Sequence, residues 1–164
     1  MFRSPTHGKV EFDEIPRHLL RFFEAGSGDG AGYDIMVGSD SQNYDYTKAV
    51  TAIAMIHRGS GGIFFYEIRK VELLRDVRSK LYEETQASLE VASRLIGLLE
   101  GDDAYAEMYR SCPISIHVDA GNADTGKTAP LIPEIVGWVR SLGYGCEVKP
   151  DSFVASSIAD KISK

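Results

Sequence analysis

Apolar positions along the chain follow two periods, and the switches between them mark out the elements. Ile15, Leu19, Phe22 and Phe23 fall at helical spacing, which predicts a helix over 12–24, ended by Gly26-Ser27-Gly28-Asp29-Gly30. From Tyr33 the pattern changes to short apolar runs that read as strands over 33–39, 47–57 and 63–71. Between the second and third, Arg58-Gly59-Ser60-Gly61-Gly62 supplies glycines for the positive φ angles of a hairpin turn. An antiparallel meander is therefore expected. Helical spacing returns over 73–99, with Leu74, Val77, Leu81, Ser88, Ala92, Leu95 and Leu99 as the stripe that faces the core. A loop leads to a strand over 114–118. A second loop over 120–129 precedes a helix over 133–142 closed by Gly143, then a fifth strand over 144–149 and a last helix over 152–162.

The order β-β-β-α-β-α-β-α, preceded by one helix, predicts an α/β fold. Its sheet would be mixed and five-stranded, a three-strand antiparallel meander plus two parallel strands, flanked by helices and with an extra N-terminal helix. A length of 164 residues suits a single domain, with 1–32 as N-terminal helix and loop and 33–164 as the core.

Composition narrows the function classes. At 43% hydrophobic and 26% charged residues, the chain has the make-up of a soluble globular protein. No apolar run nears the roughly 20 residues that cross a bilayer, and the N-terminus lacks a signal peptide's apolar core. No membrane partner and a cytoplasmic location are expected. Cys112 and Cys146 are not in a Cys-x-x-Cys arrangement and read as reduced thiols in or near the core. A net charge of -6 argues against gripping nucleic acid over a broad surface, leaves room for a local basic groove, and suits carboxylates gathered around a metal.

Helical geometry tests which acidic residues of the long helix face the sheet. With Leu81 as zero, Glu84 falls at about -60°, on the edge of the apolar stripe, while Glu83 and Glu90 fall near 180°, at about 100° per residue. A carboxylate facing the core is costly unless it is paired, for instance with Arg78, reaches the rim, or binds a cation. Asp40 follows Ile35-Met36-Val37-Gly38-Ser39 and Asp119 follows Ile114-Ser115-Ile116-His117-Val118, so each closes an apolar strand. Either alone can simply begin a turn. Ligand sites in α/β sheets, however, gather outside strand ends, and hard ions such as Mg²⁺ prefer all-oxygen ligands.

The chain resembles the ribonuclease H-like superfamily, and within it the small bacterial YkuK-type proteins. The resemblance rests on Val37-Gly38-Ser39-Asp40-Ser41-Gln42, the Gly61-Gly62 hairpin, Glu84 with Ser88-Leu89, and Ile116-His117-Val118-Asp119-Ala120-Gly121. It continues through Glu134-Ile135-Val136-Gly137-Trp138-Val139, Lys149-Pro150-Asp151-Ser152 and Ala159-Asp160. It implies a ribonuclease H-like fold and a metal and catalytic site of Asp40, Glu84, Asp119 and, on the last helix, Asp160. With two Mg²⁺ or Mn²⁺ ions about 4 Å apart, such a site hydrolyses phosphodiesters. The implied function is a metal-dependent nuclease or phosphodiesterase acting on RNA, DNA or a hybrid. The alternative is a non-catalytic domain of the same fold that binds nucleic acid or protein.

Around this cluster, Ser41 and Gln42 are candidates to donate to a phosphate, and Lys149 to offer it a cation. His117 shares the strand face of Asp119 by the two-residue period. It is either a positioner of water or substrate or a hydrogen-bonded, half-buried residue.

One motif competes. Gly121-Asn122-Ala123-Asp124-Thr125-Gly126-Lys127-Thr128 fits the phosphate-loop formula between a strand and a helix. A helix starting at Gly-Lys-Thr would hold Pro130 and Pro133 in its first two turns, where the second removes a needed N–H. Asp124 would oppose phosphate with like charge, and only 36 residues remain after Thr128. A glycine-rich turn that caps a helix starting near Pro130 or Pro133 is the simpler reading, with Lys127 able to reach a substrate phosphate.

Overall fold

The structure, a computed structural model, describes residues 1–26, 28, 30–121, 127–152, 157–159, 161 and 162. It opens with two short strands, β1 (Phe2–Ser4) and β2 (Gly8–Val10), paired antiparallel around a turn that Gly8 enters at φ +72°. A 3₁₀ turn over Phe12–Glu14 follows. Glu11 and Glu14 cap each other across it, which satisfies amides that a helix start leaves open. It leads into α1 (Ile15–Gly26), the first predicted helix.

The meander forms as β3 (Tyr33–Asn43), β4 (Thr47–His57) and β5 (Gly61–Val71), in unbroken register from Tyr33↔His57 to Asn43↔Thr47 and from Thr47↔Val71 to His57↔Gly61. Then come α2 (Val77–Glu100), α3 (Ala106–Ser111), β6 (Ile114–Gly121), α4 (Ile132–Ser141) and β7 (Gly145–Lys149). Asp76 caps α2 by accepting from the Ser79 amide at 2.8 Å. The expected loop after α2 thus contains a one-and-a-half-turn helix. Residues 157–159, 161 and 162 are helical, within the range expected for the last helix.

The fold is α/β with a mixed sheet, but the sheet has seven strands rather than five, in the order β2-β1-β5-β4-β3-β6-β7. The two extra strands add at the β5 edge, through Arg3↔Tyr66. Their three residues each are too few for alternation to show in the sequence. β6 pairs in parallel with β3 and with β7, and every other pairing is antiparallel.

Alternation sorts the strands' side chains onto two faces. Ile35, Val37, Ile53, Phe65, Ile116 and Val118 face α2 and are buried with Leu81, Leu95, Leu99, Ile15 and Ile135. Each large apolar side chain buried there contributes on the order of 1.5–3 kcal/mol. Hydroxyls join the layers: Ser39 Oγ lies 2.9 Å from Thr51 Oγ1 and 2.8 Å from Ser88 Oγ on α2. Tyr82 stacks on Trp138, and Arg78 meets Glu134 at 3.2 Å, linking α2 to α4. Cys112 and Cys146 are buried free thiols, and burial pushes the Cys112 thiol up to about 11. Among the described residues no helix is long and apolar enough to cross a membrane.

Candidate functional site

β3 and β6 run side by side from Ile35↔Ile114 to Ser39↔Val118, and there they part. Beyond that point β3 continues with β4, as Asp40↔Val50, and β6 continues with β7 through an irregularity between Val118 and Gly121. Asp40 and Asp119 are therefore the first residues past the parting. β3 is also where the sheet changes from antiparallel to parallel pairing, the kind of switch at which α/β sheets open a crevice. Neither aspartate ends its strand as the sequence pattern suggests. β3 runs on to Asn43 and β6 to Gly121, because pairing with β4 and β7 holds polar residues extended.

Glu84 comes up beneath from α2, only 9% exposed. Its Oε1 accepts from Ser41 Oγ at 2.6 Å, while Lys80, one turn earlier, donates from Nζ to the Ser41 carbonyl at 2.9 Å. Burial raises the Glu84 carboxyl most. The Ser41 hydrogen bond opposes this, Asp40 and Asp119 add repulsion, Lys80 subtracts, and the result is a group pushed up to about 8. Arg78 is engaged with Glu134. The helical phase argument for Glu84 agrees with this placement, since Glu90 is exposed and Glu83 only half-buried.

Asp119 is 16% exposed, and its Oδ1 is buried without a hydrogen bond. The Lys149 ammonium stands 2.5 Å from that atom, an ion pair rather than a directed hydrogen bond. The irregularity in β6 brings the two residues abreast, placing Lys149 opposite Gly121. Asp40 is half-buried and, lying between Ser39 and Ser41, projects from the sheet face turned away from α2. His117 is in register with Gly38, so it and Asp119 continue Asp40's face. Glu84, Ser88, His117 and Asp119 line a closely packed gap at the parting.

His117 is 5% exposed, and a hydrogen bond to the Ser152 backbone ties it to the turn after β7. Burial lowers its pKa against the opposing Ser152 hydrogen bond, and Nδ1 is buried without a hydrogen bond. Gln42 is half-buried and accepts from the Tyr44 hydroxyl at 3.4 Å. Lys127 is exposed in the turn before the 3₁₀ helix Ala129–Leu131. That helix and α4 begin at Ala129 and Ile132, each with a proline in its first two positions, so no helix starts at Lys127-Thr128. Residues 122–126 of the phosphate-loop-like segment and Asp160 lie outside the described residues. Lys80 is absent from the sequence-derived site, although its i,i+4 spacing to Glu84 signals the neighbourhood.

The donor set is all oxygen and includes the buried Asp119 Oδ1, held by the Lys149 ammonium and by no directed hydrogen bond; oxygen donors of this kind suit a hard divalent cation. The geometry is more open than the chemistry. Among the described residues, no three His, Cys, Asp or Glu side chains are grouped so that they could hold one metal ion.

Comparison with known proteins follows the same lines. The family model described as Ribonuclease H-like matches residues 15–164, from the first residue of α1 onward. The chain is 28% identical over 171 residues to YkuK of Bacillus subtilis (strain 168), described as an uncharacterized protein; the match spans all of this chain and 97% of that one. No solved structure matches.

Proposed function

The chain belongs to the ribonuclease H-like family, and from that premise we propose that it hydrolyses phosphodiester bonds in nucleic acid with Mg²⁺ or Mn²⁺. The observation that supports this most is that Asp40 and Asp119 stand at one parting of strands beside a buried Glu84, whose carboxyl is raised chiefly by burial, with smaller contributions from the charges of those two aspartates. A buried carboxyl that two neighbouring aspartates raise further costs stability when ionised until a proton or cation joins it. Packing alone gains nothing from the arrangement.

Asp40, Glu84 and Asp119 are the proposed ligands, with Asp160 as a fourth from the last helix. Two divalent cations, when bound, supply the charge that activates a water and stabilises the leaving oxygen. The remaining tasks belong to the chain. Ser41 fixes the direction of Glu84 Oε1, and Lys80 holds the backbone of β3 in place through the Ser41 carbonyl. Lys149, whose side chain is 54% exposed, swings from Asp119 to meet a substrate phosphate. Gln42 and Lys127 offer further donors to that phosphate, and His117 braces β6 against the Ser152 turn.

A second reading, a domain that binds nucleic acid or protein without cleaving it, is favoured by Lys149's existing hold on Asp119 and by the open spacing of the carboxylates. Calorimetric titration with Mn²⁺ and cleavage of labelled RNA, DNA and hybrid separate the two. The nuclease reading expects Mn²⁺-dependent cleavage that disappears in Asp119→Asn. Cleavage that persists in Asp119→Asn, or a wild type that takes up no Mn²⁺, leaves the second reading standing.

A further inference from the structure

The sheet face turned away from α2 carries a path of aromatic and cationic side chains that the proposed reaction does not use. Phe65 and Arg69 of β5 face the helices, Arg69 meeting Glu90 of α2 at 3.9 Å, so alternation gives the opposite face to Phe64, Tyr66, Ile68 and Lys70. Register extends this face outward. Tyr66 pairs with Arg3 of β1, Arg3 with Lys9 of β2, and Lys70 with Lys48 of β4, whose ammonium is already engaged with the Ile162 carbonyl. Arg3, Lys9 and Lys70 are exposed, Ile68 is 44% exposed, and Phe64 and Tyr66 are half-buried.

The path continues towards the strand parting. The Lys70 ammonium lies 4.5 Å from the centre of the Tyr46 ring, Tyr46 is 5.9 Å from Tyr44, and the Tyr44 hydroxyl touches Gln42, two residues beyond Asp40. Tyr44 is 49% exposed. No carboxylate projects from this face of β1, β2, β4 or β5. In a chain of net charge -6 that is a local reversal of sign.

Aromatic rings beside cations, on strands whose outward positions carry no carboxylate and with exposed Asp45 confined to the turn between Tyr44 and Tyr46, suit a polymer with flat bases and a phosphate backbone. The bases must be unpaired, because a duplex keeps its ring faces stacked inside and cannot offer them to a half-buried Tyr66. We propose that this face binds single-stranded nucleic acid and leads it over Tyr46 and Tyr44 to Asp40, which makes a single strand the substrate of the nuclease. Only the destination of the strand rests on the nuclease reading; the binding stands without it.

Fluorescence anisotropy tests this on the intact chain, in EDTA, with labelled oligo(U), oligo(dT) and a duplex of about 12 nucleotides, within the site sizes that single strands occupy. The expected result is binding of a single strand about tenfold or more tighter than the duplex. Arg3→Glu with Lys9→Glu should weaken it about tenfold and flatten its salt dependence by about 1.4, two contacts at roughly 0.7 each. Tyr44→Ala should cost about fivefold or more through lost stacking. Lys70→Glu, in the long strand β5, repeats the charge test without disturbing the short hairpin. Binding of either sugar supports the proposal, and the tighter one identifies the preferred backbone.

Equal affinity for duplex, unchanged binding in both charge variants, or displacement by polyglutamate at equal charge concentration would overturn it, the last pointing to an acidic polypeptide instead. EDTA removes divalent metal, so a failed binding test beside intact Mn²⁺-dependent cleavage removes this face and spares the nuclease. Binding without cleavage does the reverse.

Discussion

On the α2 side of β3, Ser39 and Ser41 are wholly occupied with neighbours: Ser39 with Thr51 and Ser88, Ser41 with Glu84. On the other side Asp40, the residue between them, is half-buried at the parting from β6, on the face that also presents Gln42, Lys48 and Lys70. One strand thus serves two environments. The helix-covered side closes layers with apolar groups and hydroxyls; the opposite side buries Met36, Val50, Ala52 and Ala54 at its middle and turns polar towards the parting and the β3–β4 turn. The carboxylates come to the parting from both, Glu84 from the first and Asp40 and Asp119 from the second. A site built this way can be strengthened or weakened from either side independently.

That contrast can be broken most strongly at the aspartates. Asp40→Asn and Asp119→Asn should each reduce Mn²⁺-dependent cleavage on the order of 10³-fold or more, as loss of a catalytic group does, with the circular dichroism spectrum unchanged. Loss of folded signal instead would mean that Asp40's side is structural too.

Next in size is the pH response of the covered side. The folded pKa of Glu84 is raised from 4.5 to about 8, so its protonated form favours the fold. Without metal, the stability this confers is complete below about pH 4.5 and is lost as pH rises towards 8, amounting to a few kcal/mol at about 1.4 kcal/mol per pH unit. Urea titrations across that window should show the decline in wild type and its loss in Glu84→Gln. A wild type that gains stability over the same window would overturn the account.

Ser39→Ala should cost about 1–3 kcal/mol in the same assay, since the truncation leaves the buried hydroxyls of Thr51 and Ser88 short of a partner. The smallest effect belongs to Lys149→Met. Removing the ammonium from Asp119 should tighten Mn²⁺ binding by about threefold to tenfold by calorimetry, the worth of a partly exposed ion pair. Weaker binding would mean that Lys149 holds the aspartate ready rather than competing for it.

Much of this was legible from residue pattern. The long elements show in the sequence because ten or more residues give a period time to repeat, and helical phase alone separates Glu84 from Glu83 and Glu90. What escapes pattern is what depends on partners. β1, β2 and α3 are too short to display a period. Ser41-Gln42-Asn43 does not look like a strand and is one only because Lys48 and Thr47 pair with it. The closeness of Lys149 to Asp119 arises from a β6 irregularity that neither segment encodes alone. The aromatic and cationic path is assembled from four strands and the β3–β4 turn, so no single stretch of sequence is basic or aromatic enough to announce it.

The β1–β2 hairpin has one more consequence. A family match that begins at Ile15 leaves both strands outside it, yet without them the eleven residues of β5 would form the border of the sheet. An open border of that length offers a row of unsatisfied amides and carbonyls to any passing chain, and is a template for aggregation. The hairpin sits across its middle at Tyr66, with Arg69 and Lys70 towards one end and Gly61-Gly62 at the other. The first ten residues therefore act as a guard rail as well as a part of the sheet, keeping copies of the molecule from joining edge to edge.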